Sequence, residues 1–330
     1  MSNKVILITG SNGEIGQSLI CYLLENTDYK IITLDLDPLL KNLNILKHFR
    51  GSITDKKILH TINSQYQIVQ IYHLAAILSS KAEQNSEVAY DVNVYGTMNL
   101  IDICSSQSNQ YGHTILFFFP SSIAIYSIDK INDMNPIDEK MCCQNPQTVY
   151  GVTKLECEKI GVEKEIKNAG IDFRCIRFPG IISASSMPTG GTSDYAPEMV
   201  HAAALKKHYN CYVNEQTRLP FIVMPDAIYS IIKLMTASKQ SLSTNIYNVS
   251  SFSPNISELQ KMVTIFFPKF SLSYDINLKR QEIVNSWPNI INDNKARNDW
   301  RWKPRFNFEN AYRNYIVPSI IQHYNLQENQ

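Results

Sequence analysis

The chain opens on an uninterrupted apolar run. Residues 5–8 are Val-Ile-Leu-Ile, the mark of a strand buried on both faces of a parallel sheet. A glycine-rich turn follows, Gly10-Ser-Asn12-Gly13-Glu14-Ile15-Gly16, and the period then changes to helical, with Ile15, Leu19, Ile20 and Leu23 on one stripe. A second strand over residues 29–34 ends at Asp35. Residues 48–55 read as a short strand and turn through Ser52 and Ile53, with Asp55 capping the next helix. A fourth strand over 67–76 ends in Leu74-Ala75-Ala76, and its His73 reads as a packed core residue. A helix over 91–106 carries Asn93 near its start and Val94, Met98 and Ile101 inward. A fifth strand, 114–120, stops at Ser121-Ser122; a helix over 151–169 and a strand over 171–178 complete the series. Strands alternating with helices at these lengths predict an α/β fold of Rossmann type, a doubly wound parallel sheet.

Past Phe178 the regular alternation stops. Residues 183–195 have no periodic apolar positions, and a loop of that length in a compact domain is usually functional or disordered. A strand at 218–223, a helix at 225–237 and a strand at 245–249 follow. The expected organisation is a cofactor-binding Rossmann domain over 1–178. Residues 179–330 should form mainly a smaller C-terminal substrate-binding lobe, with elements returning to the Rossmann core.

Composition narrows the partners. The chain has 330 residues, 44% hydrophobic and 18% charged, with a net charge of +1. Such a balance gives no reason to expect nucleic acid or an anionic membrane as partner, and no window approaches a membrane span. The seven cysteines show neither a disulfide framework nor zinc spacing, so no metal site is expected. A reducing compartment fits. Cytoplasmic is the expectation, with the mitochondrial matrix open to a chain from which a transit peptide has been removed.

The chemistry starts at the glycine turn. Strand, glycine-rich turn, helix, strand and terminal acid make up a dinucleotide-binding unit, whose pyrophosphate rests on free amides at the helix N-terminus. Asp35 can accept from the adenosine ribose hydroxyls and repels a 2′-phosphate, which favours NAD over NADP. A catalytic pair is harder to choose. Tyr-x-x-x-Lys occurs three times, as Tyr126–Lys130, Tyr150–Lys154 and Tyr229–Lys233. Each would place a phenol and an ammonium one helical turn apart. An ammonium beside a phenol lowers its pKa and makes it a base for an alcohol. Only Tyr150 both starts a long helix and follows a strand end carrying serines. Ser122 is the better placed of the two serines, although the pattern leaves Ser121 open.

With these residues the chain resembles the extended short-chain dehydrogenases, and within them the short-chain type of L-threonine 3-dehydrogenases. Tyr72-His-Leu-Ala-Ala-Ile-Leu-Ser79, Phe119-Pro-Ser-Ser-Ile-Ala, Arg177-Phe-Pro-Gly-Ile-Ile-Ser183, Gly190-Gly-Thr-Ser-Asp-Tyr195, Ser286-Trp-Pro288 and Trp300-Arg-Trp-Lys-Pro carry the likeness. It implies NAD-dependent oxidation of the threonine C3 hydroxyl to 2-amino-3-oxobutanoate, with Tyr150 as base, Lys154 assisting and Ser122 orienting the hydroxyl. It also implies that Ser79, Thr192, Ser193 and Asp194, with Ser122 and Tyr150, hold the substrate. The cofactor would touch Gly10, Asn12, Gly13, Glu14, Ile15, Gly16, Asp35, Ser52, Ile53, Leu74, Ala75, Ala76, Asn93, Tyr150, Lys154 and Ile181. Ser52 departs from the family's usual acid, and the stretch around Cys142-Cys143 reads as a surface insertion. A homodimer is the family expectation. The rival readings are a nucleotide-sugar epimerase or dehydratase, which needs basic groups for a diphosphate, and a non-catalytic NAD-sensing protein.

Overall fold

The computed structural model describes residues 4–39, 43–128, 136–141, 145–167, 170–184, 187–188 and 190–325. Its strands are β1 (Lys4–Thr9), β2 (Lys30–Asp35), β3 (Lys47–Arg50), β4 (Gln67–His73), β5 (Ile115–Ser122), β6 (Ile171–Phe178), β7 (Gly180–Ile182), β8 (Tyr209–Cys211), β9 (Phe221–Val223), β10 (Ile246–Asn248) and β11 (Leu272–Tyr274). Seven of them form one sheet in the order β10-β6-β5-β4-β1-β2-β3, parallel at every junction. The Rossmann-type α/β fold is therefore present. β7 pairs with β9 and β8 with β11 in two small sheets outside it.

Between the strands of the first half run α1 (Glu14–Asn26), α2 (Lys56–Gln65), α3 (Ser79–Gln84), α4 (Ser86–Tyr90), α5 (Gly96–Tyr111) and α6 (Val149–Lys167). The later part adds α7 (Tyr195–Ala204), α8 (Met224–Thr236), α9 (Ile256–Phe266), α10 (Leu278–Asn285), α11 (Asn294–Trp300), α12 (Phe308–Ala311) and α13 (Val317–His323). Alternation along the strands explains the layers. Val5, Leu7, Ile32, Phe117 and Phe173 face one way with Leu59, Leu100 and Ile101 of α2 and α5. Ile6, Ile8, Ile31, Phe118 and Ile176 face the other way with Leu19 and Leu23 of α1 and Ile231 of α8. A third core joins Met199, Phe221, Leu259, Val284 and Ile316 of the later segments to Ile123–Tyr126 after β5.

Several boundaries differ from the sequence reading. The helix expected to begin at Asp91 begins at Ser86, where the Asn85 side chain accepts from the Val88 amide. It passes through a π turn, Asp91–Tyr95, and ends at Tyr111 before a left-handed Gly112. The fourth strand stops at His73, and the strand expected from 218 is reduced to Phe221–Val223. The stretch around 127–148 is only partly described, and Cys142 and Cys143 lie outside the described residues. The described part is no surface ornament. Ile137 is 1% exposed and bridges to Ile291, and the Glu139 carboxylate accepts from Lys295 Nζ (2.8 Å) and the Asn248 amide (3.0 Å).

Candidate active site

The carboxyl ends of β1, β4, β5 and β6 converge on one cleft of about 370 Å³. At its first wall Gly10 has φ +68°, which an L side chain rarely adopts, and a Cβ there would sit 2.5 Å from the Ala75 amide nitrogen. The turn thus needs glycine to lie against the end of β4. Gly13 then caps α1 without any side-chain acceptor, leaving the first amides of the helix without one from its cap.

Asp35 stands beyond this turn. Its carboxylate accepts from the amides of Asn12 (2.8 Å) and Asp37 (3.2 Å), which leaves acceptor capacity for two ribose hydroxyls. Asn12 fastens the same corner, donating to the carbonyls of Asp37 and Pro38 at 3.0 Å each. One arginine was not visible to linear reading. Sheet register sets Arg50 opposite Asp35, where its Nε donates to the Leu36 carbonyl at 3.1 Å. The glycine turn, the uncapped helix and the acid at the end of β2 fit a dinucleotide.

The opposite wall depends on α6. Thr148 caps it, accepting from the Gly151 amide at 3.0 Å. A Cβ on Gly151 would lie 2.2 Å from the Ala124 carbonyl oxygen, so glycine is what lets the helix press onto the turn that follows Ser122. That contact brings Tyr150 and Ser122 into the same cleft. Ser122 accepts from the Ala124 amide at 3.1 Å, and its own proton remains to be donated. Ser121 also lines the cleft but is 2% exposed, and its hydroxyl has no partner.

Lys154 is 3% exposed; its Nζ donates to the Pro120 carbonyl at 2.7 Å and lies 4.5 Å from the Phe119 ring centroid. Burial pulls its pKa down to about 8. The Tyr150 phenol is pushed up by burial, opposite to what a neighbouring ammonium alone would do. Lys154 Nζ stands 5.6 Å from the Tyr150 ring centroid and donates one of its three protons to Pro120.

A third side comes from 190–194. The Asp194 carboxylate accepts from the Gly191 amide at 2.6 Å, and Tyr212 donates toward the Gly191 and Thr192 carbonyls at 3.3 Å. Arg280 lies over the Tyr212 ring at 4.3 Å and donates to the Gly190 carbonyl at 3.3 Å.

Of the residues singled out from sequence, Gly10, Gly13, Glu14, Ile15, Gly16, Leu74, Ala76, Ser79, Ser122, Tyr150, Lys154, Ile181, Thr192, Ser193 and Asp194 line this cleft. Asn12, Asp35, Ser52, Ile53, Ala75 and Asn93 do not. Ser52 forms a turn with Thr54 (2.7 Å), and Ile53 is buried at 2% exposure, its carbonyl accepting from Asn99. Asn93 binds both backbone groups of Ile77, at 2.8 and 3.1 Å, and also Thr153. Ser80, Met224 and Trp287 line the cleft without having been picked as site residues. The Ser-Trp-Pro motif was the only sequence signal for Trp287. The two rejected Tyr-x-x-x-Lys pairs go elsewhere. Tyr126 is buried, donates to Asn248 at 2.8 Å and accepts from Arg177 at 3.0 Å; Lys130 lies outside the described residues. Tyr229 packs under Arg305, 4.6 Å from its ring centroid.

The model of the NAD dependent epimerase/dehydratase family matches residues 6–250. The chain belongs to that family. L-threonine 3-dehydrogenase, mitochondrial, of Bos taurus is 34% identical over 303 residues, 91% of this chain and 79% of the relative. A monomeric L-threonine 3-dehydrogenase from a metagenome, in its apo form, is 37% identical with a TM-score of 0.86, covering 97% of this chain and all of the other. L-threonine 3-dehydrogenase from Trypanosoma brucei is 30% identical with a TM-score of 0.87, over 98% and 99% of the two chains. This member of the epimerase/dehydratase family is thus an oxidoreductase that uses a nicotinamide dinucleotide. Among the described residues no helix is long and apolar enough to cross a membrane, and no group of His, Cys, Asp and Glu could hold a metal ion.

Proposed function

We propose that the protein oxidises the C3 hydroxyl of L-threonine to 2-amino-3-oxobutanoate with NAD as acceptor. The observation that carries the reading is the shared cleft, in which the glycine turn, Ser122, Tyr150, Lys154 and Asp194 all take part. Residues 1–178 would hold the dinucleotide, and 179–330 would supply mainly the substrate wall. When bound, the nicotinamide supplies the hydride acceptor.

Tyr150 takes the proton of the C3 hydroxyl, and Ser122, with its own proton free, orients that oxygen. Lys154 holds the nicotinamide ribose and keeps positive charge near the phenol as it ionises. Asp194 pairs with the substrate ammonium, and Ser79, Thr192 and Ser193 gather the rest of the head group. Asp35 favours NAD over NADP.

A nucleotide sugar suits the cleft poorly. Lys154 is the one cation among its described lining residues. Arg218 is engaged by Glu258, Arg297 by Asp293, and Arg280 by Tyr212 and Gly190. A non-catalytic sensor is disfavoured by the presence of both Tyr150 and Lys154. A homodimer through α5 and α6 is the expected assembly, in a reducing compartment such as the cytoplasm. The test is purified protein with NAD+, following NADH absorbance with L-threonine and the sugar products chromatographically with UDP-sugars, whose epimerisation or dehydration makes no net NADH. Silence with threonine sinks the reading, as does turnover of a UDP-sugar.

A further inference from the structure

The catalytic reading leaves the imidazole of His73 unused. His73 ends β4, is 2% exposed, and sits between Phe117 and Phe119 at 6.0 Å from each ring centroid. Its Nδ1 lies 2.9 Å from Thr9 Oγ1 and its Nε2 2.9 Å from Thr97 Oγ1. Each hydroxyl has one proton, and the destination of that proton decides the tautomer. Thr97 donates to the Asn93 carbonyl at 2.5 Å, so toward the imidazole it can only accept. The ring proton is therefore on Nε2. Bare Nδ1 then accepts from the Thr9 hydroxyl, whose oxygen accepts from the Ala75 amide at 3.3 Å.

The series continues on the other side. Asn93 Nδ2 donates to Thr153 Oγ1 at 3.0 Å, and Thr153 donates to the Tyr150 carbonyl at 2.9 Å. The Asn93 end lies in the π turn, a helix irregularity frequently found at functional sites. One connected network thus runs from the peptide that packs against Gly10 to the first turn of the helix bearing Tyr150. A cationic ring has no place in it. Burial, with Lys154 nearby, lowers the His73 pKa to about 3, so the imidazole is neutral and is neither acid nor base for the reaction.

We propose that His73 is a positioning residue. As a neutral Nε2–H imidazole it fixes the spacing between the dinucleotide turn and the helix bearing Tyr150 and Lys154. Its consequence for turnover rests on the roles given to those two residues above. Hydride and proton transfer need reacting atoms held about 3–3.5 Å apart, and a misplacement of about 1 Å costs about a hundredfold. Backbone pairing holds β1 beside β4, but the helix lies on another layer. Side chains have to set that distance.

The first test needs no turnover. In full-length protein with ¹⁵N-labelled histidine, NMR should report His73 as neutral with its proton on Nε2, with and without NAD+. An Nδ1–H or protonated ring overturns the proposal. The second test uses His73→Phe, which keeps an aromatic ring but removes both nitrogens. With L-threonine, kcat should fall about tenfold or more. Both KM values should stay within about threefold, and C3-deuterated threonine should give a larger isotope effect. A folded variant with wild-type kcat and isotope effect overturns the proposal even if its melting temperature drops.

Should His73→Phe fail to fold, Thr9→Val and Thr97→Val decide. Each cuts the same series, so the double variant should lose little more than either single one; additive losses overturn the coupling. Wild-type protein that makes no NADH from threonine sinks the substrate reading instead. The positioning claim is then decided by the tautomer and by the fluorescence of bound NADH, which the variants must alter.

Discussion

The two walls of the cleft are built by opposite means. On the glycine-turn wall the backbone does the work, within 30 residues of sequence: a positive φ at Gly10, an uncapped α1 and a carboxylate at the end of β2. On the Asp194 wall side chains from distant segments hold one short loop, with Tyr212 and Arg280 carrying the peptides of Gly190–Thr192. The first wall is rigid because its neighbours are strands of one parallel sheet. The second is held by hydrogen bonds of 3.3 Å and a stacked guanidinium, so it is the wall whose substitutions should alter substrate binding with little effect on the fold.

Tyr150 stands between the walls, and removing its hydroxyl stops the chemistry while leaving both walls in place. Tyr150→Phe should lower kcat about a thousandfold while bound NAD is unaffected; NADH formation and NAD titration check the two halves. Gly10→Ala attacks the backbone wall. An alanine at φ +68° costs about 1–2 kcal/mol before the clash with Ala75 is counted. Melting temperature and NAD affinity should fall together, whereas loss of threonine binding alone would contradict the division of labour.

Asp194→Asn attacks the other wall and leaves an acceptor for the Gly191 amide. A charge-assisted hydrogen bond is worth about 1.5–3 kcal/mol, so the KM for threonine should rise about tenfold or more with the KM for NAD+ unchanged. Asp35→Ser should lower efficiency with NAD+ about tenfold, the effect of losing one charge-assisted contact. It should also narrow the preference over NADP+, because Arg50 stays opposite in register; kinetics with both dinucleotides read it.

The smallest effect concerns Lys154. Its folded-state pKa of about 8 lies below a lysine's ordinary 10.5 because the ammonium is buried. Between those values this group binds more protons in the unfolded chain, so its own contribution to stability without cofactor rises with pH from about 8 to 10.5, against the falling contribution of the buried phenols and thiols such as Tyr150, Tyr195 and Cys175. Thermal melts of wild type and Lys154→Met across that window should diverge in slope, the stability of wild type relative to the variant rising with pH.

The period changes along the first 178 residues were enough to predict six strands of the sheet and their parallel order of layers. Local signals carried that far because the central strands β1, β5 and β6 are mostly apolar and helices such as α1 carry an apolar stripe, whereas the edge strand β3, Lys-His-Phe-Arg, was read only from its turn. They failed where a boundary depended on a cap or a partner. Asn85 starts the helix before Asp91, and β9 keeps only Phe221–Val223, the three residues that form a ladder with β7. The Tyr150–Lys154 spacing occurs three times, and position in the chain was needed to choose among the copies.

What the sequence determined by itself was the dinucleotide turn, the acid after it and the order of chemistry-bearing segments. All depend on neighbours a few residues apart. Tertiary structure alone decided the rest. It turned His73 into a crossbar between Thr9 and Thr97, 64 and 24 residues away along the chain. It set Arg50 beside Asp35 and brought Trp287 to the cleft. It also drew the Tyr150 phenol up rather than down, because burial is a property of packing that no spacing records.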